Sequence, residues 1–162
     1  MNIKKRLQYL EKIMDSFCEY KEFTGAVSQK NIKLAEQKLN ILFPVSYCWF
    51  LMTYGAGFFG EKEIFGILET KEGELQEIEY IPNVIWVTEF FRKIIGLSEE
   101  YVAISGDGMG SYYFVKAEKE QRALDGQVLK IGLNINGTQS TKENCYSSLV
   151  SFFEDYILEE KL

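Results

Sequence analysis

A chain of 162 residues, 46% apolar and 15% aromatic, is long and greasy enough to bury a full core without disulfide or metal staples. Twenty-four acidic side chains oppose eighteen basic ones, a formal charge of −6, which argues against nucleic acid as a partner because phosphate binding needs a basic face. The chain has no histidine, which excludes Ser-His and Cys-His nucleophile pairs and removes the commonest general base and transition-metal ligand.

In chain order, Ile3, Leu7, Leu10, Met14 and Phe17 recur at steps of three and four and predict an amphipathic helix over residues 2–20. The basic start Met1-Asn2-Ile3-Lys4-Lys5-Arg6 is not followed by an uninterrupted apolar region, since Glu11 and Asp15 intervene. Ser28 is placed to cap a second helix with Ile32, Ala35, Leu39 and Leu42 on its inner face. Pro44 suits the first position of a third helix carrying Tyr47, Phe50, Leu51 and Tyr54, stopped by Gly55-Ala56-Gly57.

Residues 64–69 read as a strand, and 71–80 as a polar stretch without a period. Asn83 is a cap for a fourth helix with Val84, Val87, Phe91, Ile94 and Ile95 inward and Gly96 as its stop. Residues 101–105 and 111–116 are expected strands joined by a hairpin at 106–110. A further strand follows over 127–131, entered through Asp125-Gly126. Asn136-Gly137-Thr138 reads as a turn. A closing helix carries Leu149, Phe152, Phe153, Tyr156 and Ile157. Helices followed by hairpin-linked strands indicate an α+β fold: a mainly antiparallel sheet packed against N-terminal and C-terminal helices, in one domain over residues 1–162.

The motifs with chemical potential are few. Gly106-Asp107-Gly108-Met109-Gly110 lacks phosphate-loop spacing and precedes a strand, so it is expected to be a tight turn. Of the adjacent rings Tyr112 and Tyr113, alternation turns one to the core and one outward. Cys18, Cys48 and Cys145 are odd in number and lack C-x-x-C spacing. They are read as reduced thiols of a cytoplasmic protein, and no metal or cofactor is expected. No segment approaches the length of a membrane span. Residues 61–79 hold seven glutamates against two lysines, so most of the net charge is concentrated there. Glu61, Glu63, Glu69, Glu72 and Glu74, with Asp107, are the candidate docking surface for a basic partner.

The chain resembles the SUKH superfamily over about residues 28–155. The residues that carry the resemblance are Ile32, Ala35-Glu36 and Leu39, then Phe43-Pro44-x-Ser46-Tyr47-x-x-Phe50-Leu51 and Tyr54-Gly55-Ala56-Gly57. They continue with Gly66-Ile67, Val87-Thr88, Phe91-Arg92, the 106–110 glycines with Tyr112-Tyr113, Gly126-x-Val128 and Ser151-Phe152. The superfamily includes fungal Smi/Knr-type cell-wall regulators and many bacterial immunity proteins, and the chain looks closest to YobK-type antitoxins. The resemblance implies a non-catalytic protein that binds and neutralises a cognate polymorphic toxin domain, often a nuclease. The alternative it implies is a regulatory scaffold for endogenous signalling or cell-wall assembly proteins. A thiol or carboxylate enzyme is a third possibility, tested by the reactivity of the cysteines.

Overall fold

The computed structural model describes residues 2–161; the side chains of Cys18 and Ile157, both assigned places above, lie outside the described residues. Among the described residues there are five α-helices: α1 (Ile3–Ser16), α2 (Gln29–Leu39), α3 (Val45–Thr53), α4 (Val84–Ile95) and α5 (Leu149–Lys161). Seven strands form one sheet: β1 (Lys21–Phe23), β2 (Gly57–Phe59), β3 (Lys62–Ile64), β4 (Tyr101–Gly106), β5 (Ser111–Lys116), β6 (Val128–Leu133) and β7 (Gln139–Tyr146). Each strand pairs antiparallel with the next in sequence, so the sheet is a meander. The expected α+β class is therefore observed.

Both faces of the sheet are covered. Phe91 of α4 packs on Tyr112 and Phe114 of β5, with ring centroids at 4.7 and 5.2 Å. Tyr113, pointing the other way, packs on Phe152 and Tyr156 of α5 at 5.1 and 5.8 Å. The tyrosine expected to face outward is thus roofed by the closing helix. Helices α1 and α3 join α5 on that face: Phe50 stacks on Phe153 at 5.5 Å, and Arg6 reaches the Glu154 carboxylate at 3.1 Å. Helix α2 packs against α3 and α4.

The capping residues do what their chemistry allows. Ser28 and Asn83 accept from the Asn31 and Ile85 amides, and Gly96 ends α4 in the left-handed region. Gly55 follows the end of α3 at φ +79°, but Gly57 opens β2 instead of stopping the helix. The hairpin between β4 and β5 is held by the Asp107 carboxylate, which accepts from the Met109 and Ser111 amides at 2.7 and 3.0 Å. In β4 a register shift between Ala103 and Ser105 interrupts the ladder, and the Ala103 amide donates to Thr88 Oγ1 of α4 at 3.0 Å.

Several expectations shift. Pro44 precedes α3 as its cap residue, so Val45 is the first helical position. Helix α2 ends at Leu39, and Leu42 instead bridges to Glu118. Strand β3 stops at Ile64, because beyond Phe65 the chain turns to a new partner: Gly66 donates to Pro82 and accepts from Val84. Gly66 is obligatory there, since a Cβ would lie 1.7 Å from the Gly55 carbonyl oxygen. Ile94 is not inward but exposed. Strands β1, β2 and β7 were not anticipated.

Residues 122–125 lock the helices to the sheet. Pro44 offers no side-chain cap, and the first two α3 amides, Val45 and Ser46, donate instead to the carbonyls of Ala123 and Leu124 at 2.9 and 3.1 Å. The Asp125 carboxylate accepts from Ser46 Oγ at 2.9 Å and from the Leu149 amide at 2.9 Å, so it joins α3 to the start of α5. Arg122 donates to both oxygens of the buried Glu36 carboxylate at 2.7 and 3.1 Å and to the Phe43 carbonyl at 2.8 Å. Asp125→Ala is expected to lower unfolding free energy in urea by about 2–4 kcal/mol, because it orphans a hydroxyl and helix amides together. Asp125→Asn, which keeps one acceptor oxygen, should lose roughly half as much.

Candidate protein-binding face

Helix α4 has two apolar sides. Val84, Val87 and Phe91 are buried against the sheet, as their spacing predicts. Trp86, Phe90 and Ile94 repeat at intervals of four on the adjoining, outer flank. Phe90 is 39% and Ile94 43% exposed, and Trp86 is half-buried. The Trp86 and Phe90 rings stack with centroids 5.1 Å apart and planes 21° from parallel. Tyr80 and Ile81, just before the helix, add exposed apolar surface. Among the described residues the Trp86 indole N–H has no acceptor, so it is free to serve a partner.

Acidic side chains flank this stripe. A cavity of about 230 Å³ beside Trp86 is lined by Glu77, Glu79 and Glu89, with Lys38, Asn83 and Ile85. Lys38 holds Glu77 at 2.7 Å, and that contact pulls the Glu77 carboxyl below the ordinary carboxylate range. Glu79 and Glu89 have no ion-pair partner among the described residues. Exposed rings backed by a rigid helix and rimmed by charge make the arrangement that anchors protein–protein contacts. Outside the hydrogen-bond capacity of its rim, the stripe carries no evident reactive group.

The six residues anticipated from sequence do not form one surface. Glu69 faces α2: its carboxylate accepts from Ser28 Oγ at 2.9 Å and from Asn31 Nδ2, fastening the helix start. Glu74 pairs with Lys30 at 3.4 Å, and Glu72 is exposed without a partner among the described residues. Glu61 and Glu63 belong to the β2–β3 hairpin at the other end of that segment. Glu63 is opposite Gly106 in the ladder, which brings it near the Asp107 turn, and burial raises its carboxyl above the ordinary range. Asp107 is spent on its own hairpin. Part of the acidic segment is therefore neutralised within the fold, by α2 above all.

The stripe that sequence reasoning missed was open to it. Trp86, Phe90 and Ile94 stand at i, i+4 and i+8, a second apolar row on the same helix, whereas the sequence reading puts Ile94 with the inward row and gives Trp86 and Phe90 no place. Among the described residues no group of three His, Cys, Asp or Glu side chains is placed to hold a metal ion. No helix is long and apolar enough to cross a membrane, again among the described residues.

The SUKH_5 family, described as SMI1-KNR4 cell-wall, matches residues 8–158. The chain belongs to the SUKH family. No curated protein matches it. The match begins within α1 and covers residues 8–16 of that helix, upstream of residue 28 where the motif resemblance starts.

The Cys48 thiol bears on whether this SUKH domain could use a cysteine nucleophile. Burial, opposed by the Arg122 charge 3.1 Å away and aided by Glu36, pushes it up to about 11. Cys145 is raised as well, chiefly by burial. A raised thiol stays neutral in the fold while the unfolded chain ionises. Cys48 therefore contributes stability below pH 9 that is lost as pH climbs towards 11. In native protein at pH 7.5, iodoacetamide should modify Cys48 about 100-fold more slowly than in denaturant, measured by peptide mass mapping.

Proposed function

We propose that this SUKH domain is an immunity protein that binds and neutralises a cognate polymorphic toxin, with a basic nuclease domain as the partner. The reading is carried by the exposed Trp86–Phe90–Ile94 stripe beside Glu79 and Glu89. Aromatic anchors supply contact area, and free carboxylates suit a basic, nucleic-acid-binding surface. The family match and the formal charge of −6 support the same reading. The protein acts by occupying the toxin and not by chemistry, in the cytoplasm of the bacterium that makes the toxin, and needs no cofactor. The acids first singled out, Glu61, Glu63, Glu69, Glu72, Glu74 and Asp107, act in this reading as a diffuse field that steers the encounter, or as fold determinants.

The second reading is a regulatory scaffold that binds endogenous cell-wall assembly proteins. The family's own description as SMI1-KNR4 cell-wall favours it. A toxin gene beside the coding sequence separates the two.

The test is co-purification with the adjacent toxin domain and an assay of its nuclease activity at equimolar protein. A stable complex with lost nuclease activity is expected, and free, active toxin would overturn the proposal. Trp86→Ala is expected to weaken the complex at least about 30-fold, as a central anchor does. Because Trp86 and Phe90 are partly exposed, Phe90→Ala should leave the unfolding midpoint nearly unchanged while also weakening the complex. Raising salt should slow association more than it speeds dissociation.

A further inference from the structure

A second concave surface lies away from α4 and shares no lining residue with the cavity beside Trp86. It is a groove of about 720 Å³ between α1, the start of α2 and α3. Leu7, Ile32 and Cys48 form its buried floor, and Trp49, Met52 and Leu124 its walls. The volume falls within the range of small-molecule sites, and such sites are mostly apolar with a few placed polar groups.

The polar groups are unevenly disposed. Arg122 is committed to Glu36, and Glu11 accepts from the Trp49 indole at 3.4 Å, tying α1 to α3. Lys4 and Lys33 line the same groove, are exposed, and make no ion pair among the described residues. An apolar groove in a chain of net charge −6 thus carries two lysines without ion-pair partners, against the single carboxylate of Glu11 in the same lining. That charge arrangement calls for an anion attached to an apolar body.

The Glu11–Trp49 hydrogen bond ties α1 to α3 along one wall of the groove. Along α1 the lining runs from Ile3 to Glu11, about 12 Å at the rise of a helix. An extended chain advancing roughly 1.3 Å per carbon–carbon bond fills that length with about ten carbons.

We propose that this groove binds a medium-chain fatty carboxylate, its tail along Leu7, Ile32, Trp49 and Met52 and its carboxylate between the Lys4 and Lys33 ammonium groups. The site is independent of the toxin-neutralising reading, so either can fail alone.

The chain has two tryptophans, and Trp86→Phe leaves Trp49, a wall of the groove, as the only reporter. Sodium dodecanoate, titrated below its micelle threshold, should shift Trp49 fluorescence saturably at one molecule per chain. The Lys4→Gln/Lys33→Gln double variant, both sites exposed, should bind at least about tenfold more weakly with unchanged circular dichroism. Dodecyltrimethylammonium, with the same tail and the opposite charge, should bind no better to the parent than dodecanoate binds to the double variant. Absence of saturation, or equal binding of the two detergents, overturns the proposal. Saturation by a synthetic acid-flanked amphipathic helix but not by dodecanoate also overturns it and assigns the groove to a protein segment.

Discussion

The fold depends on how residues 122–125 satisfy groups that the helices cannot satisfy themselves. Helix α3 begins at a proline, so it has no capping side chain, and its first amides need acceptors from elsewhere. Ala123 and Leu124 provide them from the backbone, and Asp125 provides them for α5 as well. Ser148 takes the Ser151 amide, so α5 begins with its donors shared between a local serine and a distant carboxylate. Arg122 neutralises Glu36, whose carboxylate also receives the Phe43 amide at 2.7 Å. A buried carboxylate without its cation costs about 3–5 kcal/mol, although the half-exposed Arg122 end of this pair reduces that figure. This segment precedes β6, so folding the sheet and docking α2, α3 and α5 become one event.

That use of carboxylates changes what the acidic composition means. Glu36, Glu69, Asp107 and Asp125 each accept from backbone amides or from side chains that fix helix starts. They are structural acceptors, and counting them as surface charge overstates the field a partner meets. The glutamates facing α2 are further offset by Lys30 and Lys38. What remains free near exposed apolar surface is a smaller set, Glu79 and Glu89. Charge concentration along the chain therefore does not tell which carboxylates within the segment are committed to the fold and which are left unpaired.

The helices with apolar stripes and strong caps were legible, because periodicity and capping are local. Ser28, Asn83 and Gly96 announce their roles within three or four residues. Strand β5 was legible for the same reason, as were the glycines around Asp107. Strands β1 and β7 were not. Three residues carry no period, and β7 is polar and exposed over most of its length, so backbone pairing with β6 alone defines it. The links from Arg122 to Glu36 and from Asp125 to Ser46 span about eighty residues, and nothing in a single sequence joins them. The stripe on α4 is a different case. Its spacing was visible, but whether an apolar row is buried depends on what packs over it. With α4 already using its other side against Tyr112 and Phe114, this row was left without cover.

The outer row of α4 stands out against the way the rest of the surface is treated. The open edge at β7 is an aggregation hazard in principle. It is blunted by polar and charged residues such as Lys142 and Glu143 and by two register shifts against β6. No such protection is applied on α4, where stacked Trp86 and Phe90 continue into Ile94 and none is replaced by a charge. A helix apolar around much of its circumference is ordinarily buried around most of it. Here one side meets the sheet and the other, among the described residues, meets solvent. The Trp86 and Phe90 rings stack on each other beside the buried row. The stripe is therefore a partly exposed apolar row on a packed helix, with the carboxylates of Glu79 and Glu89 beside it.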